Sequence, residues 1–239
     1  MVQLRSIIFY AGIAPVTVFF SLASAALLLV PLRSRYYIVI QWSRFVLWWL
    51  RVTCGLHWRV TGIEHIPNEA GVILCKHQSA WETMALQFVF PPHSQVVKRE
   101  LLWVPFFGWG LASLSPIAID RAAGATALRV VLREGKRRIK TGWWILLFPE
   151  GTRVAIGRPG KYAASGAALA IQAQCPLVPV AHNAGLFWPR QALRKRPGTI
   201  ELVIGPPLYP DGRTAAALTV AAEEWIEATC RRLPPFRVE

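Results

Sequence analysis

Residues Gly71 to Glu82 read GVILCKHQSAWE. A glycine, four apolar or sulfur-bearing residues and then a polar run make a short buried strand that stops abruptly. A second apolar stretch, TMALQFVF, follows at 83–90. Ser79 suits a helix N-cap, and Glu82, three residues on, stands at the capping-box position. A strand that passes through a short polar loop into a helix is the opening half of a βα unit. That reading points to an α/β fold, and the neighbouring sequence can be tested against it.

The same texture recurs from residue 56 onwards. Short apolar runs occur at 56–60 (LHWRV), 94–98 (SQVVK), 116–119 (PIAI), 144–148 (WILLF), 177–181 (LVPVA) and 199–205 (TIELVIG). Helix-like stretches at about 79–90, 122–141, 161–174 and 214–232 separate or follow them. Near-continuous apolar strands with intervening helices predict a mixed, largely parallel sheet flanked by helices.

Before residue 56 the texture differs. No charged residue occurs between Arg5 and Arg33. That is long enough to cross a hydrocarbon core of about 30 Å as a helix, and Pro15 is tolerable in one. A signal peptide is the rival, with ASA at 23–25 as its cleavage site, but the apolar run continues past it. YYIVIQWSRFVLWWLRVTCG predicts a second helix, with Gln41, Arg44, Trp48 and Arg51 on one stripe. That stripe suits a membrane interface, and a second, tilted span stays open. The expected division is an N-terminal anchor over 1–55 and a catalytic portion over 56–239. One Arg precedes the span, whereas Arg33, Arg35, Arg44 and Arg51 follow it. The positive-inside rule then puts the remainder on the cytoplasmic side, in the inner membrane if the source is a bacterium.

Composition supports this division. Hydrophobic residues make up 54% of the 239 and charged ones 17%, with 11 Trp and a net charge of +14. The charge would suit nucleic acid or anionic lipid. No nucleic-acid-binding module is recognisable, so nucleic acid is not an expected partner, and basic residues beside Trp-rich apolar runs fit a headgroup surface. Cys54, Cys75, Cys175 and Cys230 form no CxxC pair, so neither a metal site nor a disulfide framework is expected.

Four strand ends carry reactive groups. Of the five histidines, only His77 has an acid five positions on, Glu82. Residues five apart on a helix diverge, so the pair meets only if His77 lies in the loop before it. The helix cap is the competing use of Ser79 and Glu82. FPEGTR (148–153) ends a second strand; Gly151 permits an unusual backbone and Arg153 offers a fork suited to phosphate. Asp120-Arg121 ends a third. Lys98 ends a fourth and leads into LLWVPFFGWG, whose Trp103, Phe106, Phe107 and Trp109 would contact an acyl chain or the membrane. His182 reads as structural. Lys161 is either a further anion contact or the exposed start of a helix.

With these residues assembled, the sequence resembles the 1-acyl-glycerol-3-phosphate acyltransferases, within the wider glycerolipid acyltransferases. The likeness covers roughly residues 56–210. KHQSAWE resembles the family's His-x4-Asp block, SPIAIDR the block ending in a substrate-binding Arg, and LVPVAHNAG the apolar fourth block, while FPEGTR matches the third residue for residue. VTGIEHIP and KRELLWVPFFG are also similar to family usage.

The resemblance implies acyl transfer from acyl-CoA or acyl carrier protein to the sn-2 hydroxyl of lysophosphatidic acid, with no cofactor and no metal. It casts His77 as base, Glu82 as its orienting acid, and Arg121, Arg153 and Lys98 as phosphate contacts. Glu150, Gly151, Thr152 and Ser79 would shape the site, with Glu150 orienting Arg153 or binding polar groups. The expected partners are a lysophospholipid, the acyl donor and membrane lipid. Two departures stand out. Glu82 replaces the usual Asp, and Lys76 replaces the usual Asn before the histidine. Lys76 is expected to disfavour a charged imidazole. Another lysolipid acceptor, such as lyso-ornithine lipid or lysophosphatidylglycerol, and a non-catalytic membrane scaffold remain as alternatives.

Overall fold

Each apolar run read from the sequence is a strand in the computed structural model, which describes residues 1–190 and 192–234. The final five residues of the expected catalytic portion, 235–239, lie outside the described residues. β1 (Leu56–Thr61), β2 (Val72–Cys75), β3 (His93–Lys98), β4 (Ile117–Ile119), β5 (Trp144–Leu147), β6 (Leu177–His182) and β7 (Gly198–Ile204) form one sheet. Their order is β1-β7-β6-β2-β5-β3-β4. Every neighbouring pair is parallel except β6 and β7. Five strands therefore deliver their C-terminal ends to one edge of the sheet, where open α/β sheets build their sites.

Alternation along the strands sorts the core into two layers. Ile73 and Cys75 of β2 face one side, with Leu146, Val178 and Val180. Val72 and Leu74 face the other, with Ile145, Leu147 and Leu177. Both sides are covered by helices, so β2, β5 and β6 are buried throughout and their sequences show no polar alternation. On the first side lie α3 (Gln41–Cys54) and α4 (Trp81–Val89). On the second lie α6 (Ala125–Ile139), α7 (Ser165–Ala173) and α8 (Ala215–Arg232).

The N-terminal region corrects one expectation. The single helix predicted after residue 35 is two, α2 (Leu32–Val39) and α3, meeting at Ile40. Gln41, Arg44, Trp48 and Arg51 do share an exposed stripe, while Val46, Leu47, Leu50 and Cys54 enter the core. α3 is thus a wall of the sheet's first layer and does not stand clear as a second span.

α1 (Val2–Ala26) runs through Pro15, and over Val2–Ser24 it is long and apolar enough to cross a membrane, with mean hydropathy 1.9. It lies side-on against α3. A Cβ on Gly12 would come 2.3 Å from the Trp49 indole nitrogen, so only glycine permits the approach. Trp49 Nε1 donates to Phe9 O at 3.2 Å and Trp42 Nε1 to Thr17 Oγ1 at 3.0 Å. Near the N-terminal end of α1, Phe9 is fully buried and the backbone N–H of Lys195 donates to Ser6 Oγ at 2.9 Å. The Lys195 ammonium bonds the Tyr10 hydroxyl and sits 4.6 Å from the centre of the Trp188 ring. The opposite face of α1 exposes Leu4, Ile7, Ile8, Phe19 and Leu22.

Candidate active site

His77 lies where the sequence requires, in the loop between β2 and α4. Its Nδ1 is 2.9 Å from Glu82 Oε1. The same oxygen accepts the backbone N–H groups of Gln78 at 2.9 Å and Ser79 at 2.8 Å. The expected N-cap is corrected: the helix begins at Trp81 with Ala80 at its N-cap and no side-chain cap bond, so Ser79 does not cap it, while Glu82 reaches back to the loop N–H groups and is also the histidine's partner. Ser79 Oγ in turn accepts from Trp81 N at 3.2 Å. The longer Glu side chain fits because the helix starts at Trp81 and the loop folds back over it.

Glu82 is fully buried. Burial alone would raise its pKa. The nearby His182, the bond to His77 and the Ser79 N–H outweigh that and hold the carboxyl below its usual range. His182 is structural, as expected. Its Nε2 lies 2.9 Å from Lys76 O and its Nδ1 accepts from Ala184 N at 3.2 Å. Burial lowers its pKa.

FPEGTR folds over the imidazole. The Phe148 ring stacks on His77 with centroids 4.0 Å apart and planes 19° from parallel. Val154 N donates to His77 O at 2.8 Å. Gly151 adopts φ +66°, a left-handed turn that disfavours other residues.

Glu150 departs from the first of its two expectations, orienting Arg153, and meets the second, binding polar groups. Its Oε2 accepts the His77 backbone N–H at 3.1 Å, and its Oε1 accepts Lys76 Nζ at 2.6 Å and Gly160 N at 3.0 Å. Lys76 also departs. Its ammonium is turned away into this buried network and bonds Glu227 Oε1 of α8 at 2.6 Å as well. Burial works against its charge, but the two carboxylates more than offset that and raise its pKa. A cation held by two carboxylates is not the lone positive charge that was expected to act on the imidazole.

The outward cations are held more loosely. Arg121 is exposed and its guanidinium bonds Gly151 O, which brings the third strand end onto the FPEGTR loop. Partial burial lowers its pKa, with Glu100 acting the other way. Arg153 is half-buried and bonds no carboxylate among the described residues. Thr152 and Lys161 are exposed, and Lys161 lies in the loop before α7. Lys98 pairs with Glu100 at 3.4 Å, and Arg99 with Asp120 at 2.9 Å. The structure thus gathers His77, Glu82, Glu150, Gly151 and Arg121 by direct contact but gives Lys98 no bond to that group.

The aromatic stretch contains an element that the sequence reading lacked, α5 (Phe107–Ser113). Trp103 is 69% exposed, and Phe106, Phe107 and Trp109 are also exposed. Phe107 meets Trp42 of α3 edge-on at 6.4 Å, so this stretch joins the N-terminal helices. Phe107 N donates to Pro105 O at 2.7 Å across Phe106, whose φ of +62° and ψ of −63° mark a tight, strained turn.

Sequence reading missed Phe148's stacking role, Tyr162 and Glu227. Phe148 opens a quoted motif and was open to notice; Tyr162 and Glu227 carry no local signal. All four cysteines are free.

This arrangement has known counterparts. A family model described as Acyltransferase matches residues 57–183. A 1-acyl-sn-glycerol-3-phosphate acyltransferase of Pseudomonas aeruginosa is 45% identical, over 98% of this chain and 93% of that protein. One from Saccharomyces cerevisiae is 31% identical over 55% of this chain and 44% of its own length. The chain belongs to the acyltransferase family, and it is an enzyme of the acyl-transferring class. The crystal structure of the 1-acyl-sn-glycerophosphate acyltransferase PlsC from Thermotoga maritima superposes with a TM-score of 0.80. That pair is 22% identical and covers 100% of this chain and 98% of the other, so it shows the same fold.

Proposed function

We propose that this enzyme transfers a fatty acyl group from acyl-CoA or acyl carrier protein to the sn-2 hydroxyl of lysophosphatidic acid, giving phosphatidic acid. The observation that carries the proposal is the His77 Nδ1–Glu82 Oε1 bond of 2.9 Å at a sheet edge shared with Arg121 and FPEGTR. Glu82 keeps the proton on Nδ1, so Nε2 holds the free lone pair. Nε2 takes the proton of the acceptor hydroxyl as its oxygen attacks the thioester carbonyl. The C–O bond forms, the tetrahedral intermediate collapses, the C–S bond breaks, and the imidazolium returns the proton to the leaving sulfur. Glu82 stabilises that imidazolium. Arg121 and Arg153 hold the acceptor phosphate, with Lys98 at the rim. No metal or further cofactor enters these steps.

The lipid substrates call for a membrane surface. The exposed apolar face of α1, the Trp48 stripe of α3 and the Trp103–Trp109 stretch would enter it together. Since Phe9 and Ser6 on the other face of α1 are buried in the protein, the helix serves as an embedded anchor along the enzyme's side. The basic residues after it favour the cytoplasmic side of a bacterial inner membrane.

The test is transfer of labelled acyl groups from acyl-CoA to a panel of lysolipids, wild type against His77→Ala. Transfer to lysophosphatidic acid that His77→Ala abolishes is expected. No transfer to any acceptor, or full activity in the variant, would defeat the proposal.

A further inference from the structure

We propose that Glu227, on the C-terminal helix α8, is a positioning residue for acyl transfer: through Lys76 and Glu150 it fixes the backbone from which His77 is presented. This inference rests on the function proposed above. The residue lies beyond the 57–183 segment matched by the family model, and 151 residues separate it from Lys76.

The chain of contacts is continuous and almost dry. Glu227 Oε1 accepts from Lys76 Nζ at 2.6 Å and from the Tyr162 hydroxyl at 2.8 Å. Lys76 Nζ donates to Glu150 Oε1 at 2.6 Å, and Glu150 Oε2 accepts the His77 N–H at 3.1 Å. The side chains of Lys76 and Glu150 are 3% and 0% exposed, and that of Glu227 is 14% exposed.

Glu150 uses its two oxygens in different directions. One faces Lys76 and Gly160 N; the other faces His77. A carboxylate is planar and rigid, so a shift of the ammonium rotates the bond to His77 with it. The Lys76 backbone cannot follow such a shift. Its N–H donates to Val180 O at 3.0 Å and its carbonyl accepts from His182 at 2.9 Å. Only the side chain is free to be aimed, and Glu227 and Tyr162 supply the counterweight on the far side. One ammonium between a buried and a partly exposed carboxylate also makes the two acids interdependent. Without Lys76, like charges face each other across the gap.

The test uses the full chain in detergent or lipid. Glu227→Gln is expected to lower kcat about tenfold, as small misplacements of a reacting group do, with KM for acceptor and donor within about twofold. Glu224→Gln, at an exposed position of the same helix, should leave both unchanged. Lys76→Met should lose more, and adding Glu227→Gln to it should restore part of the loss, since one of two unpaired carboxylates is removed. Carbethoxylation of His77, followed by peptide mass spectrometry, should change rate about threefold in Glu227→Gln while exposed His57 stays constant.

Wild-type kcat and wild-type His77 reactivity in Glu227→Gln would overturn the proposal, as would a loss wholly explained by a smaller folded fraction. If the wild type acylates no lysolipid, the proposed reaction fails; the His77 reactivity comparison still decides the role of Glu227.

Discussion

Two sets of charges meet at the C-terminal edge of the sheet, and they are built differently. Lys76, Glu82 and Glu150 are buried and every one of them is bonded to backbone or to an opposite charge. Arg121 and Lys98 are exposed; among the described residues Arg121 bonds a loop carbonyl and Lys98 pairs with a neighbouring acid. Buried charges cost several kcal/mol unless satisfied, so the inner set is held in place, with Glu82 Oε2 the one carboxylate oxygen of the set that lacks a hydrogen-bond partner among the described residues. Cations at the surface keep their solvation and can exchange it for an anion. The inner set fixes geometry; the outer set is available to substrate.

Removing the imidazole proposed as the base should have the largest effect. His77→Ala should cut kcat about a thousandfold, or about 4 kcal/mol, as loss of a general base does. Transfer assays with saturating substrates check this, and a loss below tenfold would break the contrast.

Next comes a buried group at the opposite end of the strands. His93 opens β3, and burial lowers its pKa from 6.5 to about 4. Between those values the unfolded chain binds a proton that the folded one does not. Its contribution is complete above pH 6.5 and is lost as pH falls, reaching about 3 kcal/mol near pH 4. Denaturant melts at pH 7 and 4.5 should show wild type losing more stability than His93→Gln.

The outer set should respond more mildly and in a different parameter. Arg153→Ala should raise KM for a phosphate-bearing acceptor about tenfold to a hundredfold, or 1.5–3 kcal/mol, while kcat changes less. An equal fall of kcat would place Arg153 with the inner set. The smallest effect is expected in the exposed aromatic stretch. Phe106→Gly relieves a positive φ and should raise unfolding free energy by about 1 kcal/mol in detergent. Weaker binding to lipid vesicles is the accompanying readout, and an unchanged melting curve would count against strain.

How much of this was visible in the sequence follows from range. The strands were legible because burial on both faces erases polar alternation, as in VILC and WILL. The His77–Glu82 pair was legible because both residues lie within one short strand-to-helix turn, where five residues suffice to bring the carboxylate back to the imidazole. The split at Ile40 was not, since the apolar pattern runs through it unbroken. Nor were the partners of Lys76, because Glu150 and Glu227 lie 74 and 151 residues away. The motif reading left Glu150 either to Arg153 or to unnamed polar groups; the strand order makes that partner Lys76.

The bond between Ser6 and Lys195 joins residues 189 positions apart. α1 therefore lacks this support until synthesis has reached Lys195. At 5–20 residues per second that interval is about 10–40 s. Throughout it, the end of α1 near Ser6 and Tyr10 lacks Lys195, although α3 is already there to pack against Phe9, and the side that never becomes covered stays bare. A lipid surface met early would shelter both, so the bilayer proposed as this enzyme's workplace would also keep time for its assembly, holding the first segment until the last loops arrive.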